Sequence, residues 1–330
     1  MPTYSIVVPA HSEEAVIEEL VTRLGAVMDK LDGDSEAIVV DDGSSDRTYE
    51  LMQGAAQTDP RFRVVKLSRN FGHQTALTAG VDYSSGEAVV ILDADLQDPP
   101  EVILELAARW REGYDVVYAV RDIREGDARW KRAAAALFYR SFNRISEIKI
   151  PLDVGDFRLV DRRALEVFAR MRESNRFVRG MFSWVGLRQI GVLYRRHERF
   201  AGDSKYPLRK LLRLAWSGVT SFSVAPLRLA LNLGFIVSLV SFALLIWSLV
   251  VKIAGFYNPP GWTSIVVVTT FLGGIQLIVL GVIGEYIGDI HLEVKRRPLY
   301  VVSELDNFPD APELPPLAIV APRRRPEPEA

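Results

Sequence analysis

The sequence predicts an α/β fold: a mostly parallel sheet domain over residues 1–206, then a basic amphipathic segment at 207–228 and a two-helix transmembrane hairpin. Three observations predict it. Short apolar runs alternate with stretches of helical spacing through residues 1–205. Polar or acidic residues stand just past each apolar run: Glu13, Asp42, Asn70, Asp93, Asp95 and Arg121. Two long runs, Leu229 to Val251 and Ser264 to Gly284, contain no charge.

Tyr4 to Pro9 reads as a first buried strand that Pro9 stops, and Ser12 with Glu13 and Glu14 reads as a helix start. Val16, Ile17, Leu20, Leu24, Val27 and Leu31 then recur at helical spacing. Ala37 to Val40 is a second strand. It ends in Asp41-Asp42-Gly43-Ser44-Ser45-Asp46, where Gly43 permits a tight turn and Ser45 or Asp46 can cap the next helix. Arg63 to Leu67 is a third strand, running into Arg69-Asn70-Phe71-Gly72-His73 and a helix to about Tyr83. Ala88 to Leu92 is a fourth and Asp115 to Val120 a fifth. Strands that alternate with helices imply parallel pairing through right-handed crossovers.

The fourth strand opens the stretch on which the rest is organised, Ala88 to Pro100. Along an extended chain, residues two apart point the same way. Asp93 and Asp95, with Gln97, therefore converge at the strand's carboxyl end, where open α/β sheets hold ligands. Converging hard oxygens suit Mg2+ or Mn2+, which bridges phosphates. A loop of solvated acids ahead of a helix near Pro99 is the alternative. Neither a Gly-x-Gly-x-x-Gly fingerprint nor a P-loop occurs, so a diphosphate has to be held by metal and basic side chains.

Asp127 to Ser146 reads as helical. Phe157 to Val160 looks extended, and Asp156 either points into the site from this flank or is a turn aspartate ahead of a helix from Asp161. Arg188 to Arg195 reads as another strand. Arg199 to Tyr206 is a Gly-containing basic loop of the kind an anionic ligand orders. Leu208, Leu211, Leu212, Leu214 and Trp216 among Arg209, Lys210 and Arg213 read as a helix lying on a membrane surface.

The two charge-free runs exceed the roughly 20 helical residues that cross a ~30 Å hydrocarbon layer. Asn258-Pro259-Pro260-Gly261 turns between them. The outer flanks carry Lys205, Arg209, Lys210, Arg213, Arg228, Lys295, Arg296 and Arg297, against Lys252 alone in the connection, which places both termini and the sheet domain in the cytoplasm. Gly284 and Gly288 are spaced for helix packing and leave a homo-oligomer open. Residues 285–330 read as a cytoplasmic tail, disordered over the Pro- and Glu-rich 303–330. A net charge of −2 argues against nucleic acid as partner, the absence of cysteine excludes disulfides and thiolate chemistry, and residues 1–25 show no cleavable signal pattern.

With these pieces in this order, the chain resembles the membrane-anchored polyprenyl-phosphate glycosyltransferases of family 2, related to the dolichyl-phosphate mannose synthases. It is most like the bacterial bactoprenol (undecaprenyl-phosphate) glucosyltransferases. The resemblance runs from Tyr4 to about Arg297 through Val8-Pro9…Glu13, Val39-Val40-Asp41-Asp42-Gly43-Ser44, Arg69-Asn70-Phe71-Gly72, Asp93-Ala94-Asp95-Leu96-Gln97, Asp153 to Arg158, and Arg199…Gly202 to Tyr206. It implies a GT-A fold, a nucleotide-sugar donor such as UDP-glucose, a polyprenyl phosphate acceptor, and a bacterial-type inner membrane location. By the same resemblance Pro9, Glu13, Val40 and Asp42 face the nucleoside, with His11 standing where such chains carry Tyr and open to stacking on the base. Asp93, Ala94, Asp95 and Gln97 hold the metal and diphosphate. Arg121, Arg199, Ser204 and Lys205 meet phosphate groups of donor or acceptor. Asp156 matches the position of a catalytic carboxylate; because a phosphate nucleophile with a second pKa near ~6 is already mostly ionised at pH 7, its expected part is positioning or late proton capture. Transfer of mannose or an aminoarabinose derivative is the alternative; a processive polysaccharide synthase or a non-catalytic nucleotide-sugar sensor is a more distant one.

Overall fold

The computed structural model describes residues 2–121, 154–195, 225–253 and 261–308. Eight strands form one sheet: β1 (Tyr4–Ala10), β2 (Ser35–Asp41), β3 (Phe62–Leu67), β4 (Ala88–Ile91), β5 (Val116–Arg121), β6 (Val154–Asp161), β7 (Gln189–Tyr194) and β8 (Val302–Asp306). Their order across the sheet is β7-β5-β6-β4-β1-β2-β3-β8. The run β4-β1-β2-β3 is parallel, as alternation with helices predicts, and so is β5-β7. The sheet is nonetheless mixed. β6 lies antiparallel between β4 and β5, and β8 lies antiparallel on the outer edge of β3.

The strands of the parallel run are apolar almost throughout because both faces are covered. Tyr4, Ile6, Val8 and Ala10 of β1 face one layer with α1 (Ile17–Met28), α2 (Thr48–Thr58) and α4 (Ile103–Arg111). Val7 faces the other, with α3 (His73–Asp82), α5 (Arg162–Arg170) and α6 (Val178–Val185). Each fully buried Leu, Ile or Phe in these layers contributes about 1.5–3 kcal/mol through the hydrophobic effect. Gly80 lets α3 sit close: a Cβ there would lie 2.3 Å from Val7 Cγ1.

Helix starts differ from expectation in detail. Helix α1 begins only at Ile17 with no side-chain cap; Ser12, at φ +56°, instead donates its N–H to Ser44 Oγ. Asp46 accepts the N–H of Thr48 at the head of α2. Asp161 caps α5 through the Arg163 N–H, so that aspartate, not Asp156, does the capping.

Two further helices, α7 (Ala225–Ile253) and α8 (Trp262–Val294), are long and apolar enough to cross a membrane, over Pro226–Leu244 and Phe271–Val294. Helix α8 runs ten residues past the expected end at Gly284. At 1.5 Å per residue its 33 residues span about 50 Å, well beyond a hydrocarbon core of ~30 Å. The far end reaches the sheet domain, where Glu293 accepts the Ser174 N–H at 2.9 Å.

The tail expectation needs correction at its start. Residues 302–306 are not disordered but form β8. Tyr300 and Val302 are buried, Lys66 pairs with Glu304 at 2.9 Å, and Tyr49 Oη donates to Asp306 at 3.0 Å. The Asp127 to Ser146 helix, the 199–206 loop, residues 207–224 of the amphipathic segment and 309–330 lie outside the described residues, and the segment's last four residues, 225–228, form the first turn of α7.

Candidate active site

The site lies at the carboxyl end of the parallel run. Strand β4 ends at Ile91, yet alternation persists beyond it. Leu92, Ala94, Leu96 and Asp98 are buried, whereas Asp93, Asp95 and Gln97 stay partly open on the other side. Leu96 takes φ +55°, and Asp95 Oδ1 accepts the Gln97 N–H at 3.1 Å, so the Asp93–Gln97 segment is a turn closed on itself.

Helix α3 delivers His73 and Gln74 to the same place. Its start is fixed by Asp42, whose carboxylate accepts the N–H groups of Phe71 at 2.7 Å and Gly72 at 2.9 Å. Gly43, at φ +66°, lets the β2 turn pack against this loop; a Cβ there would lie 2.4 Å from the Arg69 carbonyl carbon. Burial raises the Asp42 pKa against the pull of those two bonds.

Opposite, β6 carries Asp156. Its Oδ1 accepts from Arg179 Nε at 2.8 Å, and its Oδ2 accepts from Arg179 Nη2 and Gln74 Nε2, each at 3.2 Å. Gln74 is itself oriented by the Val178 N–H, which donates to its Oε1 at 3.0 Å. His73 Nε2 stands 3.4 Å from Asp156 Oδ2 and 3.4 Å from Asp93 Oδ1, bridging the two flanks. Burial alone would raise the Asp156 carboxyl, but Arg179 and then His73 hold it well below the usual carboxylate range. Asp93 goes the other way: burial pushes it up to about 6, opposed by His73 and reinforced by Asp156, Asp98 and Asp95. Burial lowers the His73 pKa, and Asp156 and Asp93 more than reverse that.

A buried carboxylate oxygen that no hydrogen-bond donor reaches is a place for a cation. Asp93 Oδ1 is buried without a hydrogen bond, and ligand atoms of His73, Asp93 and Asp156 lie within 4.8 Å of one another. Asp156 Oδ2 is already crowded by its two donors. The residues therefore fit a divalent ion at Asp93 better than one at Asp156.

The sequence-predicted residues divide as follows. Asp93, Asp95, Gln97 and Asp156 share this end of the sheet with Arg121, whose guanidinium packs on Gly155. Ala94 is buried behind them. His11 is exposed and donates from Nδ1 to the Asp42 carbonyl oxygen at 2.9 Å, while the Glu13 N–H donates to Thr48 Oγ1. Pro9 and Val40 face each other in register on β1 and β2. Val40, expected to face the nucleoside, is fully buried beside Gly80, so its side chain belongs to the core. Asp42 commits both carboxylate oxygens to the 71–72 backbone. Arg199, Ser204 and Lys205 lie outside the described residues. Sequence reasoning missed His73, Gln74, Arg179, Asp98 and Tyr194 as site residues. The polar cluster past β3 pointed to His73; no local pattern pointed to Arg179.

The family described as Glycosyl transferase family 2 matches residues 5–168. The chain is 49% identical over 301 residues to the uncharacterized glycosyltransferase YkcC of Bacillus subtilis (strain 168), covering 91% of this chain and 93% of that one. It is 42% identical over 301 residues to the SfII prophage-derived bactoprenol glucosyl transferase of Shigella flexneri, covering 91% and 97%. A solved structure of glucosyl-3-phosphoglycerate synthase from Mycobacterium tuberculosis, in complex with Mn2+, UDP-glucose and phosphoglyceric acid, aligns at TM-score 0.46 and 21% identity, covering 66% of this chain and 77% of that one. The chain belongs to glycosyl transferase family 2.

Proposed function

We propose that this enzyme transfers glucose from UDP-glucose to polyprenyl phosphate at the cytoplasmic face of a bacterial inner membrane, with inversion at the anomeric carbon. The observation that carries this reading is the extent of the likeness. A relative named bactoprenol glucosyl transferase matches 91% of the chain, so the match takes in the apolar hairpin as well as the sheet domain. A lipid phosphate cannot leave the bilayer, so the enzyme has to bring its site to the headgroup plane, and α7 and α8 supply that anchor. The excess of Lys and Arg on the outer flanks of the hairpin supports a cytoplasmic sheet domain.

In the reaction a phosphate oxygen of the lipid forms a bond to the anomeric carbon. The bond from that carbon to the diphosphate breaks, and UDP leaves. Asp93 and Asp95, with Gln97 beside them, would hold Mg2+ or Mn2+, which when bound would supply Lewis-acid stabilisation of the charge on the leaving diphosphate. Asp156 faces the same space from β6. A carboxylate held below its usual range by Arg179 is a poor proton acceptor, and the ionised nucleophile has little proton to lose. Asp156 therefore acts by charge and position, keeping Arg179, Gln74 and His73 in one arrangement.

The test is a donor screen. Membranes containing the chain are given radiolabelled nucleotide sugars, Mn2+ and short-chain polyprenyl phosphate, and lipid-soluble label is counted. UDP-glucose should label the lipid, and Asp95→Asn should abolish transfer while leaving the fold intact. Label from another nucleotide sugar alone removes the glucose assignment; full turnover by Asp95→Asn removes the metal assignment.

A further inference from the structure

Three side chains from three separate segments meet beside Gly155, next to Asp156, and the reaction as derived uses none of them. Arg121 ends β5 and Tyr194 ends β7, opposite each other in register. Asp98 comes from the turn after β4 and is fully buried. Tyr194 Oη donates a short hydrogen bond to Asp98 Oδ1. With its only proton committed there, the hydroxyl oxygen is left as an acceptor, and Arg121 Nε donates to it at 3.3 Å. Asp98 Oδ2 lies 3.7 Å from Arg121 Nη2, close enough for charge attraction but not for a hydrogen bond.

The remaining side of the guanidinium rests on β6. A Cβ at Gly155 would lie 2.7 Å from Arg121 Nη2, so the cation occupies the space a side chain would take, one residue from Asp156. Arg121 is only 21% exposed, but it is the member of the trio that reaches solvent. The buried edge of the fork faces Asp98 and Tyr194. Among the described residues its Nη1 makes no hydrogen bond. A partly exposed cation fixed along its Nε and Nη2 edge by a neutral hydroxyl and a buried carboxylate, one residue from Asp156, is built to receive an anion.

We propose that Asp98 and Tyr194 are positioning residues that hold Arg121 over Gly155 so that its guanidinium grips a phosphate of one of the two substrates. The source is either the diphosphate of the nucleotide sugar or the monoester phosphate of the lipid. The inference rests on the function proposed above, so it is tested by binding as well as by turnover.

Equilibrium binding of UDP-glucose and of short-chain polyprenyl phosphate is measured separately on the full chain in detergent with Mn2+. Tyr194→Phe removes the hydroxyl and keeps the ring edge that packs on Phe157 at 5.9 Å. It should weaken one of the two ligands about tenfold, the effect of losing a hydrogen bond to a charged group, and leave the other unchanged. The ligand affected identifies the phosphate. Arg121→Gln should weaken the same ligand at least as much, and adding Tyr194→Phe to it should cost nothing further. Gly155→Ala should mimic Tyr194→Phe, because the flexible end of Arg121 moves before the backbone does. In turnover, a contact to the lipid phosphate should appear as a raised KM for polyprenyl phosphate, and a contact to the diphosphate as a raised KM for UDP-glucose together with a lowered kcat, because the diphosphate gains charge as it leaves.

Additive effects of Tyr194→Phe and Arg121→Gln would overturn the proposal. So would a lowered Tm in Tyr194→Phe with both affinities unchanged, which is the signature of a purely structural hydroxyl. Wild-type chain that binds both ligands but transfers no sugar would sink the proposed function while leaving the coupling between positions 121 and 194 measurable.

Discussion

Replacing Arg179 by Met is the sharpest probe of how the site holds its charge. Asp156 is 4% exposed and Arg179 30%. Removing one partner of a buried pair costs about 3–5 kcal/mol, because the other charge is stranded. The low end, about 3 kcal/mol, applies here, since Gln74 and His73 remain beside Asp156 and the vacated space opens towards water. For a domain of this size, 1 kcal/mol shifts Tm by about 2–4 °C, so Arg179→Met should lower Tm by about 6–12 °C. Asp156→Asn leaves the stranded partner able to reach solvent and should cost only about 1–2 kcal/mol. The decisive variant is the double one. Adding Asp156→Asn to Arg179→Met removes the stranded charge and should recover part of the lost stability. Thermal unfolding in detergent at a fixed scan rate measures all three. A double variant as unstable as the two losses summed would refute the ion-pair account of Asp156.

Two other predictions follow from the same contacts. The Asp156 pKa is depressed in the folded chain, so its stabilisation is complete above the unfolded carboxylate value of ~3.9 and is lost as pH falls through the folded value; acid unfolding of chelator-treated Asp156→Asn should therefore show a shallower loss than wild type below about pH 4, and equal slopes would contradict this. Tyr300 Oη donates to Asp82 at 2.8 Å, and Asp82 also takes both terminal nitrogens of Arg172; Tyr300→Phe should cost about 1.5 kcal/mol, read as a Tm shift of about 3–6 °C, with UDP-glucose affinity unchanged.

The parallel strands were legible because both of their faces are buried. Phe62–Leu67 differs from the expected Arg63 to Leu67 by one residue, and Val116–Arg121 from Asp115 to Val120 by one at each end. The Asp93, Asp95 and Gln97 alternation was legible for a related reason: each intervening residue packs inward, so the pattern outlasts the strand. The antiparallel members were not legible as such. Nothing local in Val154–Asp161 says that it enters between β4 and β5. Val302–Asp306 is short and half polar, with Ser303, Glu304 and Asp306 set by cross-strand partners hundreds of residues earlier, and the Pro- and Glu-rich sequence after it masked the signal. The His73–Asp156–Arg179 contact joins α3, β6 and α6, and only the folded sheet brings those positions together.

The placement of β8 has a consequence for biosynthesis. Strand β3 is complete at Leu67, but its outer neighbour is not made until Val302 to Asp306, after both apolar helices. At translation speeds of about 5–20 residues per second, that interval lasts on the order of 10–50 s. Throughout it, an unpaired strand edge is displayed to the surroundings, the kind of surface that recruits foreign strands. Completion of the sheet thus waits on synthesis of both apolar helices. A nascent chain stalled before its second apolar helix would carry a sheet whose β3 edge has no partner, and so would be more open to association than the finished chain.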